Sequence, residues 1–330
     1  MHIPYDVLSG PVEITTGVIG AAALLVGLRK LEPRLRDRTP VLMGMMSAVV
    51  FAAQMINFPL GPLPISGHLL GGVLAAVVLG PWAGALVIGV VLLVQCLLFG
   101  DGALTALGAN FVNMGLIGAV GGYALYAPIR RAIGGRTGVL IGAMVAAWFS
   151  VILSALAFAV ELGLSGWSAN FPSILGWIAL VHAGIALGEA LITGLVLRLV
   201  LLTRPDMIHD AELVEVPRAR RWIETACAGL AIAVALAVFL APFASEYPDG
   251  LEAVGQWFGF VNEEATPVFE APIPDYVVPA LDRLPKVATA LAGLIGTLVV
   301  FGVGLSLARV FSRQASPSDG SPTTAAQASR

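Results

Sequence analysis

Charge is the scarcest commodity in this chain. Asp, Glu, Lys and Arg make up 12% of its 330 residues, while 58% are hydrophobic; an ordinary soluble domain carries roughly a quarter charged residues. Between Arg38 and Asp101 there is no charged residue at all, and further charge-free runs occupy 102–129, 137–160, 162–188, 225–245 and 287–308. The first of these exceeds the roughly 20 apolar residues that cross a bilayer, so it must hold more than one crossing. Cysteine is nearly missing too: Cys96 and Cys227 lie far apart in apolar runs, with no CxxC or Cys/His neighbour. Their expected state is buried, inert thiol rather than disulfide or thiolate ligand. No basic patch with interleaved aromatics is present, which sets nucleic acid aside. There is no His-Glu-x-x-His and no Gly-x4-Gly-Lys-Ser/Thr, so neither zinc hydrolysis nor ATP binding is encoded in the chain. An intramembrane metalloenzyme has no nucleophile–base or metal–carboxylate pairing to work with. A cleaved leader is not expected either, because Asp6 and Glu13 precede the first basic residue, Arg29.

What remains is an all-α polytopic membrane protein. Helices are predicted near 12–28, 41–57, 68–80, 83–99, 106–127, 138–161, 173–200, 222–243 and 286–309. The third is short and stops at Gly80-Pro81, as a broken helix lining a polar cavity would. Glycine is abundant, at 38 residues, and small residues let membrane helices approach closely. With the amino terminus outside, 16 of the 18 basic residues fall in inner segments, leaving only Arg283 and Lys286. The positive-inside rule therefore places the amino terminus outside and the carboxyl terminus in the cytoplasm of a cell-membrane protein. Residues 1–205 are expected to form a seven-helix body, 206–221 a cytoplasmic linker, 222–310 a two-helix unit with an acidic outer loop, and 311–330 a disordered tail.

Four histidines could carry chemistry. His209 sits in the polar linker and is expected to be solvated. His2 follows the first residue, so the Met1 amine, the His2 amide nitrogen and the His2 imidazole can close two fused chelate rings on one metal. One more nitrogen would complete a square plane suited to Ni(II) or Cu(II). His68, placed at the opening of the third helix in Ser66-Gly67-His68-Leu69-Leu70-Gly71-Gly72, could supply it; equally, a second-position histidine can be chance and His68 a simple helix cap. His182 and Glu189, seven residues apart, share one helix face. They read either as a proton relay, since an ionisable group at membrane depth is costly, or as an interhelix hydrogen bond. Gln95, Asn110 and Asn113 are polar groups in apolar helices, serving as helix glue or as ligand support.

Four ordered strings then become informative: Met1-His2-Ile3-Pro4, SGHLLGGVLAAVVLGPWAG at 66–84, LFGDGALTALGANFVNMG at 98–115 and HAGIALGEALITGLV at 182–196. Together they resemble the CbiM/NikM family, the substrate-capture components of energy-coupling-factor transporters for cobalt and nickel. Pro248-Asp249-Gly250-Leu251-Glu252, between the last two helices, resembles the PDGLE/CbiN-type unit. The resemblance implies a metal held by the Met1 amine, the His2 amide and imidazole nitrogens, and His68. It implies Ni2+ or Co2+ as transported substrate with no permanently bound cofactor. The implied partners are a transmembrane coupling subunit and cytoplasmic ATPase subunits, and the chain itself is not an enzyme. Gly-His-Leu-Leu-Gly-Gly looks like the nickel-type members, where cobalt-type members tend to read Ser-His-Pro-Thr-Gly. Tyr5-Asp6-Val7-Leu8 departs from the family's usual Asp-Gly-Phe-Leu. A gradient-driven transporter working through His182 and Glu189 is the alternative.

Overall fold

The structure is a computed structural model that describes residues 1–31, 39–209, 222–262, 265–281 and 283–314. Most of the expected linker, 210–221, and most of the expected tail, 315–330, lie outside the described residues. Long runs of continuous apolar, nearly charge-free sequence satisfy their backbone in lipid by closing every hydrogen bond within a helix, whereas the alternative, a closed barrel, needs short alternating strands. Accordingly, among the described residues seven helical stretches are long and apolar enough to cross a membrane: Gly10–Lys30, Pro81–Phe99, Leu107–Ile133, Gly135–Leu164, Phe171–Thr203, Trp222–Phe243 and Pro285–Val310. The protein is a multi-pass, all-α membrane protein.

The body comprises α1 (Gly10–Lys30), α2 (Thr39–Gln54), α3 (Gly72–Leu79), α4 (Pro81–Val94), α5 (Leu107–Asn110), α6 (Gly122–Ile133), α7 (Gly135–Leu164) and α8 (Phe171–Thr203). A π-helical stretch, Phe111–Gly121, joins α5 to α6 into one crossing, and another, Gln95–Phe99, extends α4. Such stretches concentrate at functional sites, and the second one carries Gln95. α3 has eight residues, all buried. It begins four residues later than the predicted helix, and His68 therefore lies in non-helical chain rather than opening it. The reason is local: Gly71 adopts φ +75°, a left-handed conformation that ends helical propagation towards His68. Ser66–Gly67 instead pairs antiparallel with Phe58–Pro59.

The second unit holds α9 (Trp222–Ala235), α10 (Gly250–Phe258) and α11 (Pro285–Gln314). α10 was not expected in what read as a plain acidic loop. Its amino end carries a complete capping box, with the Asp249 side chain accepting from Leu251 and Glu252 and the Glu252 side chain accepting from the Asp249 amide. α2 packs against both α9 and α11, and its approach to α11 is close because glycines sit on both helices. A Cβ placed on Gly44 would come 2.9 Å from the Phe301 carbonyl, and one on Gly296 would come 2.2 Å from the Phe51 ring. The loop between α9 and α11 folds over the end of the bundle where Met1 lies. There Ser245 N donates to Asn57 O at 2.9 Å, Ser66 N to Pro248 O at 2.8 Å, and Ile273 N to Leu98 O at 3.0 Å.

Candidate metal centre

The first eight residues do not trail into solvent; they enter the bundle. Met1, Ile3, Val7 and Leu8 are buried. Ile3 is clamped on both sides, its amide donating to Asn110 Oδ1 at 2.9 Å and its carbonyl accepting from Ala103 N at 2.8 Å. Further along, Leu104 N donates to the Tyr5 hydroxyl at 3.2 Å and Trp167 Nε1 to Val7 O at 3.3 Å. Asn110 thus positions the backbone on which Met1 and His2 sit, the support role left open by sequence.

This clamp brings three of the expected groups together. The Met1 amine lies 2.7 Å from His68 Nε2, and the His2 and His68 rings stack at 5.3 Å between centroids, 16° from parallel. Each imidazole has one nitrogen fixed by an oxygen. His68 Nδ1 donates to Leu69 O at 3.0 Å, and His2 Nε2 donates to Gln95 Oε1 at 3.1 Å. The nitrogens that face the cluster are then His68 Nε2 and His2 Nδ1, which in the metal-free protein lie beside the Asp249 and Asp101 carboxylates; outer partners of this kind orient metal-binding histidines. Two cis donors about 2.0 Å from a shared metal lie roughly 2.8 Å apart, close to the Met1–His68 separation. Burial drives the His2 pKa down to about 4 despite the nearby Asp101 carboxylate, so its imidazole is neutral, the ligand form. Among the described residues no three His, Cys, Asp or Glu side chains converge to hold a metal. The amine of Met1 and the amide of His2 add main-chain nitrogen to the two imidazoles.

Glu189 reaches the same neighbourhood indirectly. Its carboxylate accepts Leu70 N at 2.6 Å and Gly71 N at 2.9 Å, while Gln54 Nε2 donates to Leu70 O at 2.9 Å. Together they hold the short chain between His68 and α3. His182 donates Nδ1–H to Ile178 O at 2.8 Å and lines a small cavity with Met1, His68, Leu70, Ile185 and Asp249. Asn113 turns elsewhere: its side chain donates to Glu161 Oε2 at 2.8 Å, and its main-chain carbonyl accepts from the Ser154 hydroxyl.

Three further groups that sequence reasoning did not nominate meet this cluster. Asp249, from the second unit, pairs with the Met1 amine and lies 3.7 Å from His68 Nε2. Burial opposes its charge, but the amine and His68 together hold its carboxyl well below the usual range. Asp101 approaches His2 Nδ1 at 3.1 Å and accepts from the Tyr276 hydroxyl at 2.6 Å. Tyr276, again from the second unit, stacks on Phe99 at 4.5 Å. The Asp-x-x-Glu capping signature at 249–252 could have marked the first; nothing local marks the others. Two expectations are corrected. Cys227 is exposed on α9 rather than buried, since it lies on an outward apolar face. His209 is packed rather than solvated, its amide donating to Val77 O at 2.9 Å and its ring lying against Gly80 and Tyr123.

Fold and site together define a class: a polytopic helical membrane protein with donor nitrogens sunk into one end of its bundle. Residues 2–207 match the family model for the cobalt uptake substrate-specific transmembrane region, CbiM, and residues 224–313 match that of the PDGLE domain. The chain belongs to the CbiM family and carries a PDGLE unit fused behind it. It is 34% identical over 321 residues to a chain of Archaeoglobus fulgidus that bears the NikMN name, covering 94% of this chain and 98% of that one. It is 30% identical to the fused nickel transport protein NikMN of Rhodobacter capsulatus, over 96% of this chain and all of that one. The cobalt transport protein CbiM of Sorangium cellulosum is 35% identical across 52% of this chain and 77% of its own. Among solved structures, a truncated transition metal transporter superposes with a TM-score of 0.55 at 29% identity, covering 61% of this chain and 99% of that one.

Proposed function

We propose that this protein captures a divalent transition metal, nickel or cobalt, from outside the cell and delivers it inward as the substrate-specific subunit of an ATP-driven energy-coupling-factor importer. The observation that carries the reading is the Met1 amine at 2.7 Å from His68 Nε2, beside a stacked His2. With Met1 carrying a free amine, the amine, the His2 amide, His2 Nδ1 and His68 Nε2 form an all-nitrogen donor set. Such a set favours late first-row cations and offers nothing to Mg2+ or Ca2+, which prefer oxygen. Nickel is preferred over cobalt because four nitrogens in a plane suit Ni(II) and because two near full-length relatives bear nickel-transport names.

The amino terminus and the loop of the second unit face outside in this reading, with the basic termini of the helices in the cytoplasm. Energy comes from partners, a transmembrane coupling subunit and cytoplasmic ATPase subunits, which act on the body to open the site inward. The proton-coupled alternative through His182 and Glu189 has less support, because both Glu189 oxygens are committed to backbone amides.

The test is nickel binding and uptake by the natively started chain against a form with two residues added before Met1, and against His68→Ala. Both changes are expected to lower nickel affinity by at least about two orders of magnitude, since losing even an outer-shell partner costs about 10–100-fold. Undiminished binding by the extended form would sink the proposal.

A further inference from the structure

His182 is 1% exposed, and its Nε2 has no hydrogen-bond partner among the described residues, because Nδ1 is spent on Ile178 O. A buried imidazole nitrogen of this kind carries an unsatisfied lone pair, and such groups call for an explanation. It belongs to the wall of the small cavity beside Met1 and His68. On the same wall stands Asp249, whose two oxygens divide their work. Oδ1 accepts Leu251 N at 2.8 Å and Glu252 N at 2.9 Å, fixing α10, while Oδ2 faces the Met1 amine and His68. The loop is pressed onto α8 at this point: a Cβ on Gly250 would come 2.6 Å from Ile185 and 3.3 Å from His182 Cε1.

We propose that Asp249 Oδ2 and His182 Nε2 form a waiting position for the incoming divalent transition cation, completed by water, from which the metal passes to the nitrogen plane. The position deepens the capture reading and rests on it. Its chemistry differs from that of the final site. One carboxylate oxygen and one imidazole bind a still partly hydrated Ni2+ or Co2+ without demanding a square plane. Exchange of water and oxygen for nitrogen can then proceed one donor at a time, with the Met1 amine and His68 already adjacent. The cation loses its hydration shell stepwise rather than at once.

The experiment uses the full-length, natively started protein in detergent, mixed with NiCl2 in a stopped-flow instrument. Loading is read from growth of the nickel–nitrogen absorption band, and the final spectrum is recorded. His182→Gln and Asp249→Asn are each expected to slow loading on the order of tenfold, the typical effect of losing a supporting metal contact. The double variant is expected to be no slower than the slower single one, with the final spectrum unchanged throughout. Asp249→Asn is decisive in sign, and it stands independently of whether His182→Gln folds. A carboxylate that merely locks the amine competes with the metal, so its removal would speed loading. Faster loading in Asp249→Asn overturns the proposal, as does wild-type loading in His182→Gln or an altered final spectrum in either. Failure of the wild type to take up nickel at all would instead refute the capture reading.

Discussion

Two residues of the amino-terminal clamp and its surroundings carry consequences that can be measured in the metal-free protein. His2 titrates at about 4 when folded against an ordinary 6.5, chiefly because burial penalises its charged form. An unfolded chain therefore binds a proton at His2 between those values while the folded chain does not, and stability falls as pH drops through that window. The full difference amounts to about 3 kcal/mol at the acid end. Thermal melts from pH 7 to pH 4 are expected to decline, and His2→Asn is expected to flatten the part of the decline lying between pH 6.5 and 4. Glu189 is the second case. Glutamine offers one carbonyl oxygen where the carboxylate offers two, so Glu189→Gln leaves one of the Leu70 and Gly71 amides without its acceptor. A buried donor left unpaired costs about 1–3 kcal/mol. The variant is expected to melt lower and to bind nickel more weakly, because the chain carrying His68 loosens. A proton relay would predict unchanged stability with transport alone abolished.

At the scale of helices, packing of the second unit on α2 supplies a paired comparison on one element. Gly296 meets the Phe51 ring, and a Cβ there would fall 2.2 Å from it, whereas nothing lies within 4 Å of a Cβ on Gly302. Overpacking a filled interface costs about 1–3 kcal/mol. Gly296→Val is thus expected to lower the melting temperature by several degrees and Gly302→Val to leave it unchanged, as differential scanning fluorimetry would show. The same helices show what sequence can and cannot specify. Long apolar spans were legible because a continuous apolar run of that length crosses lipid as a helix, so apolar length marked α1, α7, α8 and α11 closely. The start of α3 was not legible, since a left-handed Gly71 and a carboxylate from α8 decide it, and neither is visible in the local string. Met1, His2 and His68 could be nominated because chelate geometry is local to the first two and glycines flank the third. Asp249, Asp101 and Tyr276 could not be placed, because their meeting depends on how the second unit folds back, a long-range fact with no periodicity to announce it. Asn113 follows the other role left open for it, bonding to Glu161 on α7 as glue between helices.

For the molecule as a whole, the second unit acts as a cover over the first. Met1 is 5% exposed, His2 8% and His68 6%, and Ser245, Tyr247, Pro248, Ile273 and Tyr276 supply the covering contacts through Asn57, Ser66, Leu98 and Asp101. With the donors so enclosed, loading is expected to require this cover to lift at an edge. Ser245 N and Asn57 O, 2.9 Å apart, mark an edge where that lifting can be arrested. A Ser245→Cys/Asn57→Cys pair, made with exposed Cys227 changed to Ala, can be closed by oxidation and opened by reductant. The oxidised protein is expected to load nickel at least about tenfold more slowly than the reduced form, an effect of roughly 1.4 kcal/mol on the barrier. Metal loaded before oxidation is expected to dissociate more slowly by a similar factor, since a cover that bars entry also bars exit on the same side. Equal loading rates in the two redox states, with the cross-link verified by mass spectrometry, would mean that the cation enters by a route the second unit does not guard.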